Sequence, residues 1–195
     1  FIKKIKKIPL CIWVLDLWPE AVVSSAGNLH EKSLIPKILR PVVSFIYKYS
    51  DKILVSSKGF IDSIEDKGVA RSKIEFFPQW AEPIFKPMES TQYLLGDIPK
   101  DSFKIMFAGN IGESQDFPSI LNAAKMLIDD RHIHWIILGS GRREEWVKNK
   151  VKSYGLENCF HMLGSFPLEK MPEFYANADA MIFSLKDDDA FSITI

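Results

Sequence analysis

Strand-like apolar runs and helix-spaced runs alternate along this chain almost without a break, and such a chain is committed to parallel sheets joined by helical crossovers. The strand candidates are Pro9 to Leu15, Lys52 to Val55, Lys73 to Phe77, Phe103 to Ala108, Ile133 to Gly139, Cys159 to Leu163 and Ala180 to Ser184. Between them, Leu34 to Tyr49 carries Leu34, Ile38, Leu39, Val42, Val43, Phe45 and Ile46 at helical intervals, with Pro41 as a kink. Lys58 to Lys67 reads as a short helix closed by Gly68, and Phe117 to Ile128, Arg143 to Ser153 and Leu168 to Ala176 complete the helices. The alternation fails between Gln79 and Ser102, where Pro83, Pro87, Gly96 and Pro99 lie among scattered charges, the composition of a linker. The pattern therefore predicts an α/β fold with one parallel-sheet domain over residues 1–90, a linker over 91–102 and a second over 103–195. Each half holds only three or four strands, Phe1 opens in mid-pattern, and both domains read as incomplete parts of a larger chain.

A chain of 195 residues with 47% hydrophobic content can bury a core in each half. Its formal net charge is zero, which gives no electrostatic footprint for nucleic acid. Lys3, Lys4, Lys6 and Lys7 form a local basic cluster beside Ile2, Ile5 and Ile8, readable either as a solvated helix end or as a patch for anionic lipid. No apolar run approaches the ~18 residues of a membrane span and no signal-peptide pattern opens the chain, so a cytoplasmic setting is expected. Cys11 and Cys159 each lie in an apolar run with no second cysteine at metal or redox spacing, and are expected as small buried hydrophobes. His132 and His134 sit two apart without further histidine or cysteine nearby, so no metal site is expected there.

The segment from Phe103 to Phe117 carries the chemistry. A strand buried on both faces ends in Gly109-Asn110-Ile111-Gly112, and a helical pattern follows at once. Glycines permit close backbone approach, and a helix N-terminus offers unpaired N–H groups to an anion, so this turn is a candidate phosphate site; a tight strand-to-helix connection is the alternative. It is not the Gly-x-Gly-x-x-Gly of a dinucleotide fold, which argues against a nicotinamide-dependent dehydrogenase.

Six blocks follow in order: DLWPE at 16–20, DKILVSSKGF at 51–60, EFFPQWAEPIFKP at 75–87, AGNIGESQDFPSIL at 108–121, ILGSGRREEWV at 137–147 and LGSFPLEKMPEFYANADAMIFSL at 163–185. Together they resemble bacterial family 4 retaining glycosyltransferases, above all the fucosamine-type branch that transfers amino sugars in O-antigen and capsule assembly. The resemblance implies a GT-B architecture of two Rossmann-like domains, acceptor on the first and nucleotide sugar on the second. It implies a donor that is a nucleotide diphosphate sugar, UDP-linked, and an acceptor that is a lipid-linked sugar or glycan. It also implies no cofactor or metal, and a peripheral contact with the inner face of the cytoplasmic membrane. Gly109, Asn110, Ile111 and Gly112 match its phosphate-facing loop, and Phe191, Ser192 and Ile193 its second amide cradle. Gly141 and Arg142 fall near the donor, and Gly164, Ser165 and Phe166 resemble the segment that receives the base. Many relatives place an arginine after the first glycine and a lysine about five residues on, where this chain has Asn110 and Gln115. Either amides replace that clamp or Arg142, Arg143 or Lys186 swings in. Asp187 to Asp189 lie where the first acid of a Glu-x7-Glu motif belongs, with Asp189 the preferred match. Asp16 and Glu20 are the candidate acceptor-side carboxylates, and Leu15 occupies the slot of a histidine present in many relatives.

Two other functions fit the same blocks. A nucleotide-sugar epimerase of this architecture would share the phosphate loop without needing an acceptor loop such as DLWPE. A non-catalytic donor-binding or scaffold subunit would bind the donor without transfer.

Overall fold

The computed structural model describes residues 2–25, 34–89 and 95–187. The chain divides into two compact units, one reaching to Trp80 and the other spanning Ala81–Lys186. No helix of the described residues is long and apolar enough to cross a membrane.

The first unit holds β1 (Cys11–Val14), β2 (Lys52–Val55) and β3 (Ile74–Phe76), paired in parallel in the order β1-β2-β3. Its helices are α1 (Ile2–Lys6), α2 (Glu20–Ser25), α3 (Leu34–Tyr49) and α4 (Phe60–Glu65). The core joins Val14, Ile53 and Val55 of the sheet to Val43 and Tyr47 of α3 and to Phe60 and Ile64 of α4. The sequence pattern placed α3 correctly but not its face. Pro36, Val43 and Tyr47 are buried, whereas Leu34, Ile38, Val42, Phe45 and Ile46 are exposed. Two apolar stripes run along this helix one residue apart, and periodicity alone does not say which of them meets a sheet. Cys11 also departs from expectation: it is exposed, because β1 is the edge strand of the described sheet and Cys11 is its first residue.

In the second unit the sheet is also parallel, with strands in the order β6-β5-β4-β7: β4 (Phe103–Ala108), β5 (Ile133–Leu138), β6 (Phe160–Gly164) and the short β7 (Ala180–Met181). β4 and β5 pair in register from Phe103 with Ile133 to Ala108 with Leu138, and the last five residues of β5 are all buried, as a strand covered on both faces requires. On one face α5 (Phe117–Met126) contributes Phe117, Ile120, Leu121 and Ala124 at intervals of three and four. There α6 (Glu144–Tyr154) adds Val147 and Val151 before Gly155, at φ 69°, ends it in a left-handed cap. The opposite face packs Met106, Ile136 and Leu138 against Phe174 of α7 (Met171–Tyr175). Leu95 and Ile98 join this second cluster, so two apolar residues within the stretch that reads as linker are docked on the sheet.

Lys104, the second residue of β4, is buried, and its polar head is met by protein groups. Its Nζ donates to the carbonyls of Lys100 and Ser102 at 2.8 and 2.7 Å, and Asp179 Oδ2 accepts from its backbone N–H at 2.8 Å. Through that carboxylate the chain entering β7 is fastened to β4. Across the neighbouring pair of strands, His134 and His161 meet with Nδ1 and Nε2 2.9 Å apart. Cys159 is half-buried with its Sγ toward the Leu156 carbonyl, and burial pushes its thiol up.

Candidate functional site

At the carboxyl ends of β4, β5 and β6 the second unit opens a pocket of about 380 Å³. Gly109 and Asn110 line it after β4, Gly139 and Ser140 after β5, Ser165 and Phe166 after β6, and Met171 and Tyr175 of α7 close one side. Three strand ends in parallel register deliver their loops to one side of the sheet, which is why open α/β sheets bind ligands there.

The loops meet backbone to backbone. Gly139 has φ +131°, and a Cβ on it would fall on the Gly109 carbonyl oxygen. A Cβ on Gly141 would strike the Ile111 carbonyl and come within 2.7 Å of Asn110 Oδ1. The Gly109 N–H donates to the Leu138 carbonyl at 3.0 Å and the Ile111 N–H to the Ser140 carbonyl at 2.9 Å, so the β4–β5 ladder continues into the turn. The Gly112 N–H donates to Gln115 Oε1 at 3.2 Å. Three of the four amides in Gly109-Asn110-Ile111-Gly112 are thus consumed inside the protein. The N-terminus of α5 is served internally as well, since Asp116 caps it by accepting from the Ser119 N–H at 3.4 Å. The expected cradle of free amides is therefore narrower than the sequence suggests, and the Asn110 side chain, beside Gly141 and exposed at the pocket, is its principal polar group.

Of the residues singled out in the sequence, Gly109, Asn110, Ser165 and Phe166 come together around the pocket. Ser165 Oγ donates to Ser140 Oγ at 2.9 Å, and the Phe166 ring lies 4.4 Å from that of Phe174, a contact that leaves it partly exposed. Ile111 is a core residue, packed among Phe107, Phe117 and Val147. Gly112 is buried behind Asn110 and Gln115. Gly141 supports the turn, Arg142 is exposed on the β5 loop, and Gly164 ends β6 at φ +83°. Lys186 is tied to the β4 loop, its N–H donating to the Ser114 carbonyl at 2.9 Å. Asp189, Phe191, Ser192 and Ile193 lie outside the described residues, as does Asp188. Ser140, Met171 and Tyr175 were not singled out; Ser140 between Gly139 and Gly141 was the visible signal for the first, whereas the other two come to the pocket only by the docking of α7.

In the first unit, Asp16 is exposed on the loop after β1, in a groove with Trp13, Leu15, Trp18 and Ile46. Glu20 faces inward, paired with Lys67 Nζ at 3.1 Å and close enough to Tyr47 to help burial push that phenol up to about 12. Asp16 and Glu20, four residues apart, thus occupy different surroundings.

A family model described as "Glycosyl transferases group 1" matches residues 96–195. The chain belongs to that family. It is 27% identical over 186 residues to the probable glycosyltransferase WbjE of Pseudomonas aeruginosa, covering 90% of this chain and 44% of WbjE. Its fold matches WaaG, a glycosyltransferase involved in lipopolysaccharide biosynthesis, with TM-score 0.73 at 11% identity over 92% of this chain and 52% of WaaG. It also matches Anabaena Alr3699/HepE in complex with UDP and glucose, with TM-score 0.67 at 14% identity over 92% of this chain and 47% of HepE. These likenesses show the fold: two Rossmann-like parallel-sheet units of the GT-B class. This group 1 glycosyltransferase chain spans about half the length of the proteins it matches. The assignment to family 4 and its fucosamine-type branch is corrected by the group 1 match. The six sequence blocks fall largely on strands and on the turns and helices that follow them, so their residues serve the shared architecture and do not carry the distinctions between families.

Proposed function

We propose that the full-length protein transfers a sugar from a nucleotide diphosphate, UDP in the first instance, to a lipid-linked sugar or glycan acceptor in surface polysaccharide synthesis. The observation that carries this reading is the convergence of Gly109, Asn110, Ser165 and Phe166, from separate segments, on one pocket at the carboxyl ends of β4, β5 and β6. Group 1 membership supports transfer over epimerisation or a scaffold role. That HepE was crystallised with UDP-glucose supports uridine as the base.

In this reading Asn110 and the Ser140–Ser165 pair are polar partners for the donor, and Phe166 offers an aromatic face beside them. Donors aimed at the departing phosphate lower the barrier because charge grows there as the glycosidic bond breaks. The donor sugar is proposed to be an N-acetylhexosamine or related amino sugar, transferred with retention of configuration, the donor phosphate accepting the acceptor's proton. Asp16 is the acceptor-side carboxylate that is exposed; Glu20 acts through its ion pair with Lys67.

Titration of the full-length protein with UDP-glucose, UDP-N-acetylglucosamine and the GDP sugars tests base and sugar together, and the anomer of the product tests retention. Asn110→Ala should lower kcat more than about tenfold, the scale expected for losing one transition-state donor. Unchanged turnover in a folded Asn110→Ala variant would remove that residue from the site.

A further inference from the structure

The sheet order β6-β5-β4-β7 means that the chain builds outward from β4 in one direction and then returns to its other side. The loops after β4 and after β7 therefore flank a single crevice, the topological switch point where open α/β sheets receive ligands. An ion pair crosses that crevice. Glu113, on the loop after β4, reaches Lys186 Nζ of the segment after β7 through Oε2 at 3.3 Å. Its other oxygen, Oε1, reaches Arg143 of the β5 loop, also at 3.3 Å. The backbone holds both cations in place: the Lys186 N–H donates to the Ser114 carbonyl at 2.9 Å and the Arg143 N–H to the Ile111 carbonyl at 3.0 Å. The Arg143 guanidinium also lies over the Trp146 ring, 4.1 Å from its centroid.

One carboxylate thus faces two cations on a turn where Asn110 and Gln115 bring no positive charge of their own. We propose that Glu113 stands in for the donor's diphosphate, occupying Arg143 and Lys186 until the nucleotide sugar displaces it, and that these two cations are the charge the diphosphate meets. The proposal rests on the donor-site reading above. A diphosphate carries more negative charge than a carboxylate, so the cations gain by the exchange. Glu113 loses little, because all three side chains are partly exposed and such pairs contribute little net stability. With Glu113 in place the cluster has one net positive charge; without it the same two cations attract an anion unopposed.

The test is calorimetric titration of full-length protein with UDP and, in parallel, with uridine, at low and high salt. Glu113→Gln keeps the length and an acceptor oxygen but removes the charge. It should tighten UDP binding roughly three- to tenfold at low salt, with a smaller gain at high salt and no change for uridine. Arg143→Gln and Lys186→Gln should each weaken UDP roughly three- to tenfold and leave uridine unchanged. If Glu113→Gln fails to fold, the pair Glu113→Ala and Lys186→Gln, both on partly exposed side chains, reads the stand-in and the cation contact separately by the same opposite shifts. Wild-type binding of UDP that is indifferent to these substitutions would overturn the stand-in role and leave the donor site standing. No binding of UDP by the wild type would overturn both.

Discussion

A Cβ on Gly139 would fall on the Gly109 carbonyl oxygen, and its φ of +131° is one that side chains rarely adopt. Both conditions follow from the crossing of the β4 and β5 loops, where Gly109 and Ile111 hydrogen-bond to Leu138 and Ser140. Gly139→Ala should therefore cost at least about 1–3 kcal/mol from the backbone conformation alone. The steric overlap adds to that cost, and the melting temperature should fall by about 4 °C or more. Scanning calorimetry of this variant checks it, and an unchanged melting temperature would mean that the two loops do not cross as described. At this scale Gly109, Asn110, Ser165 and Phe166 were legible in the sequence because glycine and small polar residues just after an apolar run mark a strand end. Ile111 was not: the same turn that exposes Asn110 rotates its neighbour into the core.

Pairing between β5 and β6 brings His134 and His161 together, a contact that no spacing in the sequence announces. Burial lowers both imidazoles below their ordinary value of 6.5; a hydrogen bond with the Arg131 backbone works against this at His134, the charges of Lys104 and His132 lower it further, and the charge of His134 lowers His161. The folded protein accordingly binds fewer protons at this pair than the unfolded chain does just below pH 6.5. The stability contributed by the neutral pair is complete above 6.5 and is lost as pH falls below it, until the folded rings themselves take up protons. Thermal unfolding should show a midpoint that declines below about pH 6.5, and His161→Phe should flatten that decline. An equally steep decline in the variant would assign it to other groups. The element scale is also where the sequence left the buried face of α3 open, since its apolar residues include both the buried Val43 and the exposed Val42. Existence and length of a helix follow from its own residues, but its buried face is set by the sheet it covers.

Two parallel-sheet units in one chain were legible from the alternation of runs, since a parallel pair of strands needs a long crossover and that crossover is a helix. Their division near Trp80 was less legible, because Leu95 and Ile98 are docked on the second sheet while the prolines and charges around them read as linker. The basic cluster at the start of the chain belongs to this scale. Lys3 is engaged, its Nζ 2.6 Å from Asp51 Oδ1 and 3.0 Å from the Tyr49 carbonyl, whereas Lys6 and Lys7 are exposed. If the full-length protein works on a lipid-linked acceptor, Lys6→Glu with Lys7→Glu should reduce its sedimentation with vesicles containing anionic lipid, an effect that weakens with salt. Equal sedimentation of variant and wild type would dispose of the patch.

The sequence alone determined the α/β class, the positions of the strands and the small-residue turn after β4, because period, apolar content and glycine placement are properties of single segments. Tertiary structure alone decided which amides of that turn are consumed and which stripe of α3 is buried. It also decided that Glu113 lies between Arg143 and Lys186. Those outcomes depend on strand order, which brings together segments some thirty to seventy residues apart in the chain and lets their charges and hydrogen bonds compete.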